Sequence, residues 1–181
     1  MIEIRWHGRG GQGIVVASEL LATAAFMEGK WSQAFPHFGA ERRGAPVKAF
    51  TRISEEPIRL RSQIYTPDIV VIVDPSALSI DTVKGLKKEG LIIANTSSPH
   101  RLGDWRLAYV DATGIASKLG LKLAGLPIPN TAMLGAISKA SGIVDIKTIV
   151  KVIRSRWPGE AGEKNVKAAL NAYDKLKFSE L

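Results

Sequence analysis

The chain has 181 residues, 45% hydrophobic and 23% charged, and contains no cysteine. That is the make-up of one globular domain with a core of its own. It excludes disulfides, cysteine nucleophiles, cysteine-ligated zinc and any iron–sulfur cluster held by this chain alone. The formal net charge is +8, but the basic residues run from Arg5 to Lys177 instead of forming the patch or stripe of a nucleic-acid binder. A phosphate-bearing ligand or an acidic partner protein fits that balance.

In chain order, Ile2 to Trp6 alternates and predicts a strand. It runs into Gly8-Arg9-Gly10-Gly11-Gln12-Gly13, and Ile14–Glu28 follows as a helix closed by Gly29. Strand, glycine loop and helix in this order aim backbone N–H groups and a helix N-terminus at one spot, which suits an anion. Only Ser18, Glu19 and Thr23 are polar in the middle of that helix. The sequence therefore predicts that a second side of it is covered, by the rest of the domain or, the favoured reading, by another subunit. The run is too short and too acidic to cross a bilayer. No secretory h-region is visible, so the expectation is a soluble, cytoplasmic protein without a membrane segment.

Trp31–Pro36 reads as a short extended segment. His37 to Pro46 reads as a loop in which Gly39 and Gly44 bracket Glu41-Arg42-Arg43. Alternation over Val47–Ile53 and Ile58–Arg61, around a turn at Ser54–Pro57, predicts an antiparallel hairpin. The β-branched run Ile69–Val73, bounded by Pro67 and Pro75, predicts a central strand buried on both faces. Ser76–Lys88 reads as a helix. Leu91–Ala94 and Arg106–Val110 read as strands, and Ile115–Leu119 as a short helix. Leu121–Ile128 is irregular. Three helices follow: Ala132–Ala140, capped by Asn130 or Thr131; Asp145–Arg156; and Glu160–Lys177, a peripheral clamp or interface arm with Val166, Ala169, Leu170 and Tyr173 as its apolar stripe. The last third offers no strand. This alternation implies a single domain over residues 1–181 with three α/β/α layers, a mixed, mostly parallel sheet with helices on both faces, a Rossmann-like glycine loop and a helical C-terminal third.

Four strand ends carry small or polar residues: Gly8–Gly13, Asp74, Asn95-Thr96 and Asp111–Thr113. If these strands are parallel, their ends share one rim, where ligands of open α/β sheets bind; ordinary turn chemistry gives the same residues. Gly8, Gly10 and Gly13 satisfy G-x-G-x-x-G. A dinucleotide fingerprint also needs an acidic residue about 20 positions on. Glu28 comes early, Glu41 late, and Gln12 stands where a small apolar residue is usual. No Gly-Lys-Ser/Thr follows, which excludes a P-loop. His7, His37 and His100 show no ligand spacing. No nucleophile–base pair, paired carboxylates or Gly-x-Ser-x-Gly setting appears. Candidate binding residues are Gly8, Gly10, Gly11, Gln12, Gly13, Arg42, Arg43, Asn95 and Thr96, with no catalytic or metal-ligating residue. A well-formed rim without catalytic machinery suggests a subunit whose chemistry others complete. A free-standing nucleotide-binding module is the rival reading.

Arg5-Trp6-His7-Gly8-Arg9-Gly10-Gly11-Gln12-Gly13, Gln33-Ala34-Phe35-Pro36, Phe38-Gly39-Ala40-Glu41-Arg42-Arg43-Gly44-Ala45-Pro46 and Pro129-Asn130-Thr131-Ala132-Met133-Leu134-Gly135-Ala136 together resemble the gamma subunits of pyruvate/2-oxoacid:ferredoxin oxidoreductases, over essentially the whole chain. The resemblance implies a heterotetrameric enzyme that oxidatively decarboxylates a 2-oxoacid to acyl-CoA and reduces ferredoxin. It implies alpha, beta and delta partners, with thiamine diphosphate and magnesium held by alpha and beta and [4Fe–4S] clusters by beta and delta. This chain alone would hold no cofactor. CoA is a substrate of the complex, and the glycine loop and Arg42/Arg43 would face its phosphates or a neighbouring subunit. Ala45-Pro46 looks closer to the pyruvate and branched-chain (2-oxoisovalerate) enzymes than to the 2-oxoglutarate ones.

Overall fold

A computed structural model describes residues 1–37 and 44–179. The elements are β1 (Ile2–Arg9), α1 (Ile14–Met27), β2 (Trp31–His37), β3 (Pro46–Ser54), β4 (Ile69–Ile72), β5 (Leu91–Asn95), β6 (Arg106–Val110), α2 (Ala112–Lys118), β7 (Lys122–Leu123), β8 (Leu126–Pro127), α3 (Asn130–Ser141), α4 (Ile146–Arg156), α5 (Glu160–Lys175) and β9 (Lys177–Phe178). Seven strands form one sheet in the order β2-β3-β1-β4-β5-β6-β9. β1, β4, β5 and β6 run parallel. The β2–β3 flank and β9 are antiparallel to their neighbours. The expected mixed α/β sheet is therefore present.

Alternation divides the strand residues between two cores, because successive side chains leave opposite faces of a sheet. Ile69, Val71, Val73, Ile93, Ala108 and Val110 face a layer that carries Leu21, Leu134, Ile137, Ile149 and Val166 from the helices. Val70, Ile72, Ile92, Ala94 and Leu107 face the other way, against Val83, Leu86 and Leu102. That third layer lacks the helix expected over Ser76–Lys88: a single 3-10 turn, Pro75–Ala77, and further turns stand there instead. The reason lies in Arg5. Its guanidinium donates to the carbonyls of Thr82 and Lys84 and to that of Tyr65, taking up groups an α-helix would use internally. Gly85 at φ +84° then turns the chain, where a Cβ would lie 2.5 Å from the Tyr65 carbonyl oxygen.

The hairpin is also redistributed. β3 pairs with β2 on one side and β1 on the other, so neither of its edges is left for Ile58–Arg61. That segment is not a strand, and Leu60 is exposed. The C-terminal third does contribute strands: β9 pairs with β6, and β7 with β8. Pro129, not Asn130 or Thr131, occupies the N-cap position of α3, and the Asn130 side chain accepts from the Thr131 amide instead.

α5 is core rather than a peripheral clamp. Val166 and Ala169 are buried as its pattern predicts, but Ala168 and Ala172 complete the contact while Leu170 is exposed. Small residues let α3 and α5 approach closely: a Cβ at Gly135 would collide with the backbone of Ala169. Gly135→Ala is expected to destabilise the fold by about 1–3 kcal/mol, the cost of overpacking a close backbone contact, despite alanine's better helix propensity. Urea denaturation of the two chains measures it, and equal midpoints would contradict the packing argument.

Candidate functional site at the carboxyl rim of the sheet

Because β1, β4, β5 and β6 are parallel, the glycine loop, Asp74, Asn95-Thr96 and Asp111–Thr113 lie along one rim. The connections leaving these strands diverge at two places. β1 leads into α1 on the helical face, whereas β4 leads into the turns of the other face. β5 likewise leads into the loop that carries Leu102, and β6 into α2. Such divergence opens a crevice beyond the strand ends.

The glycine loop is shaped by short contacts. A Cβ at Gly8 would meet Ile14 Cγ2 at 2.6 Å. Gly13 holds the N-cap of α1 at φ 74°, with no side-chain cap, and a Cβ there would strike the Asn130 side chain. Gln12 is explained by its fold-back: its side-chain Oε1 accepts from the Arg9 backbone N–H at 2.7 Å, and its backbone N–H donates to the Arg9 carbonyl at 3.1 Å. Asn130 Nδ2 reaches the Gly13 carbonyl at 3.5 Å, so the start of α3 abuts the loop. Gly10 donates to the Ala45 carbonyl, and Gly44 to the Gly10 carbonyl. These bonds join the glycine loop to the end of the second motif. Arg42 and Arg43, with Glu41, lie outside the described residues.

Arg9 is the residue that sequence reasoning did not single out. Its Nε donates to Asp74 Oδ2 at 2.6 Å, one terminal nitrogen to the Gly44 carbonyl at 3.0 Å, and the other to Ser76 Oγ at 3.0 Å. The fork spans the β1/β4 crevice. Asp74 is nearly buried and also accepts from the Ser76 hydroxyl and amide. Asp-Pro-Ser after a buried strand signals an Asx-type turn, but its arginine partner lies 65 positions away. Beside the fork, Arg9, Lys48, His7, His37 and Asp81 line a cavity of about 440 Å³.

At the second divergence, Asn95 is buried and its amide is fully used. Nδ2 donates to the Val73 carbonyl and Thr113 Oγ1, and Oδ1 accepts from the Thr113 amide. It ties β4, β5 and α2 together. Thr96 donates its amide to the Val110 carbonyl, and its hydroxyl accepts from Ser98. Thr96, Ser97, Asp111, Lys118 and Lys177 border a cavity of about 510 Å³.

The geometry can be set beside known proteins. Residues 3–175 match the family described as pyruvate ferredoxin/flavodoxin oxidoreductase. The chain belongs to that family. It is 53% identical to the pyruvate/ketoisovalerate oxidoreductases common subunit gamma of Pyrococcus furiosus, over 100% of both chains. It is 52% identical to pyruvate synthase subunit PorC of Methanothermobacter marburgensis, over 99% of each. Among solved structures, the pyruvate oxidoreductase subunit PORC of Thermotoga maritima superposes with a TM-score of 0.86 at 40% identity, covering 99% of this chain and 98% of that one. No cysteine occurs in the sequence. Among the described residues no three His, Asp or Glu side chains converge as metal ligands, and no helix is long and apolar enough to cross a membrane.

His7 borders the smaller cavity in an unusual state. Burial, and then the charges of Arg5 and Lys48, push its pKa down to about 3. Its Nε2 accepts from Arg5 Nε at 3.0 Å, which places the proton of the neutral ring on Nδ1. The unfolded chain takes up a proton here near pH 6.5 and the folded chain only near 3. Between those values the unfolded state binds more protons, so stability falls as pH drops from about 6.5 towards 3. His7→Gln is expected to flatten that slope. Denaturation midpoints of both chains across the window test this, and parallel pH profiles would refute the assignment.

Proposed function

We propose that this chain is the gamma subunit of a multisubunit 2-oxoacid:ferredoxin oxidoreductase, with pyruvate as the 2-oxoacid. One observation carries the reading: the end-to-end match to gamma and PorC subunits, at 53% and 52% identity. The Pyrococcus relative is a subunit common to pyruvate and ketoisovalerate oxidoreductases, which supports the same sharing here. In the reaction the 2-oxoacid loses its carboxylate as carbon dioxide. Its acyl carbon is captured by the CoA thiol with release of a proton, and the two electrons freed reduce ferredoxin. The thiamine diphosphate with magnesium that activates the acyl carbon, and the [4Fe–4S] clusters that carry the electrons, belong to alpha, beta and delta partners. Supporting that division, a chain without cysteine has no thiolate to give a cluster.

The work left to this chain is recognition and assembly, in the cytoplasm. Gly8, Gly10, Gly11, Gln12 and Gly13, with Arg42 and Arg43, face the phosphates of CoA; Asn95 and Thr96 shape the neighbouring crevice. With the Arg9, Gly10 and Gln12 amides committed within the fold, the N-terminus of α1 and a pair of arginines are what complement such an anion. Phe26, Met27 and Trp31 are all more than half exposed. They lie where α1 ends and β2 begins, and we assign them to the surface that meets a partner subunit, since lone exposed apolar groups are common but three together mark an interface.

Two experiments test this. The isolated chain should show no turnover with pyruvate, CoA, thiamine diphosphate and ferredoxin, while the assembled complex turns over. Within that complex, Arg42→Ala/Arg43→Ala should raise KM for CoA about tenfold or more, as expected for losing charge-assisted contacts. Turnover by the chain alone, or saturable NAD binding by it, would overturn the reading. Separately, Phe26→Asp/Trp31→Asp should abolish co-purification with the other subunits without changing the melting temperature of the isolated chain. Undiminished co-purification would exclude this face.

A further inference from the structure

Arg9 stands at the point where the connections of β1 and β4 part. Three of its five N–H groups are committed there: to a carboxylate on β4's exit, to the Ser76 hydroxyl beyond it, and to the Gly44 carbonyl that begins the return into β3. Gly44 and Ala45 are in turn bonded to Gly10. The guanidinium therefore ties the end of β1 and the glycine loop, where Arg9 itself sits, to two other segments: the exit of β4, through Asp74 and Ser76, and the start of β3, through Gly44. Charge alone does not do this. Asp74 Oδ2 and Ser76 Oγ stand side by side, bonded to each other, while the Gly44 carbonyl belongs to another segment, and a planar fork with separate N–H groups reaches all three together, whereas an ammonium is a point donor. Asp74 compensates the positive charge, and the side chain keeps 45% of its surface open. That marks a group held by the fold at the edge of the crevice, and not one buried for stability.

We propose that Arg9 is a positioning residue for the phosphate-bearing substrate. Its fork to Asp74, Ser76 and Gly44 sets the spacing between the glycine loop and the start of β3, and so the distance at which groups on the two segments close on one anion. This rests on the reading that these segments face CoA. A misplacement of about 1 Å in such a clamp costs heavily in binding geometry without touching the reacting atoms, so the effect belongs in KM for CoA and not in the 2-oxoacid's KM.

The assembled enzyme carrying Arg9→Lys tests the fork, because the lysine keeps the charge and loses the geometry. KM for CoA is expected to rise about fivefold or more, with KM for pyruvate and kcat at saturating CoA within about twofold of the parent. Asp74→Asn should give the same selective shift, and the double variant no more than either single change, since both remove one unit. Ser76→Ala takes only one bond from the fork and serves as the mild variant should a bolder one fail to assemble; it should shift KM for CoA in the same direction by a smaller factor. A KM for CoA unchanged in both Arg9→Lys and Ser76→Ala, with Arg42→Ala/Arg43→Ala still shifting it, would overturn the role of Arg9 and leave the CoA reading standing. No shift in any of these variants would overturn both. Equal rises in both KM values, or a fall in kcat alone, would make Arg9 a general structural prop and also overturn the proposal.

Discussion

Irregular backbone laid over a sheet must find partners for its carbonyl groups, because water is excluded there. In this chain two buried arginines meet that requirement, and the second face of the sheet depends on them. Arg52, 1% exposed, donates to Glu3, to Gln33 and to the Ser62 carbonyl, with Phe35 against its guanidinium. Arg5 donates to the carbonyls of Tyr65, Thr82 and Lys84. Parallel strands need both faces covered. Helices do this on one side. On the other, turns do it, held down by side chains from β1 and β3. Removing either arginine would take these side-chain donors from the turns and loosen them from the sheet.

The same two residues show why some of the architecture was legible in the sequence and some was not. Ile69–Val73 announced a doubly buried strand because every residue in it is apolar, and strand pairing only confirmed what that run demands. The glycine loop and α1 were equally plain, since each is local. Ser76–Lys88 carries a helix-like pattern, and the competitor that defeats it is Arg5, some 80 positions upstream in places and unremarkable in the sequence. Ile58–Arg61 alternates as a strand should, but β3 already has neighbours on both sides. Local pattern states what a segment prefers. It does not state whether its hydrogen-bonding groups have been claimed elsewhere.

The rim divides along the same line. That Gly8–Gly13, Asp74, Asn95 and Asp111 would share one edge followed from reading the strands as parallel. That Asn95 would spend its whole amide on Val73 and Thr113 did not. Nor did the place of Arg9, which sits between two glycines and looks like filler until Asp74 and Gly44 are brought to it. The recurring motifs of the family were recognisable as separate words; the fold supplies their adjacency, Gly13 against Asn130 and Gly10 against Gly44.

The strand order has a consequence for the chain before it meets any partner. The sheet ends in β2 on one side and in the two residues of β9 on the other. β2 carries Pro36, which has no N–H to offer, and β9 is too short to template a neighbour. An open, flat edge invites strands of other molecules to add on, and both devices blunt that invitation. The exposed backbone groups at both ends of the sheet are therefore poor templates for edge-to-edge polymers of this chain.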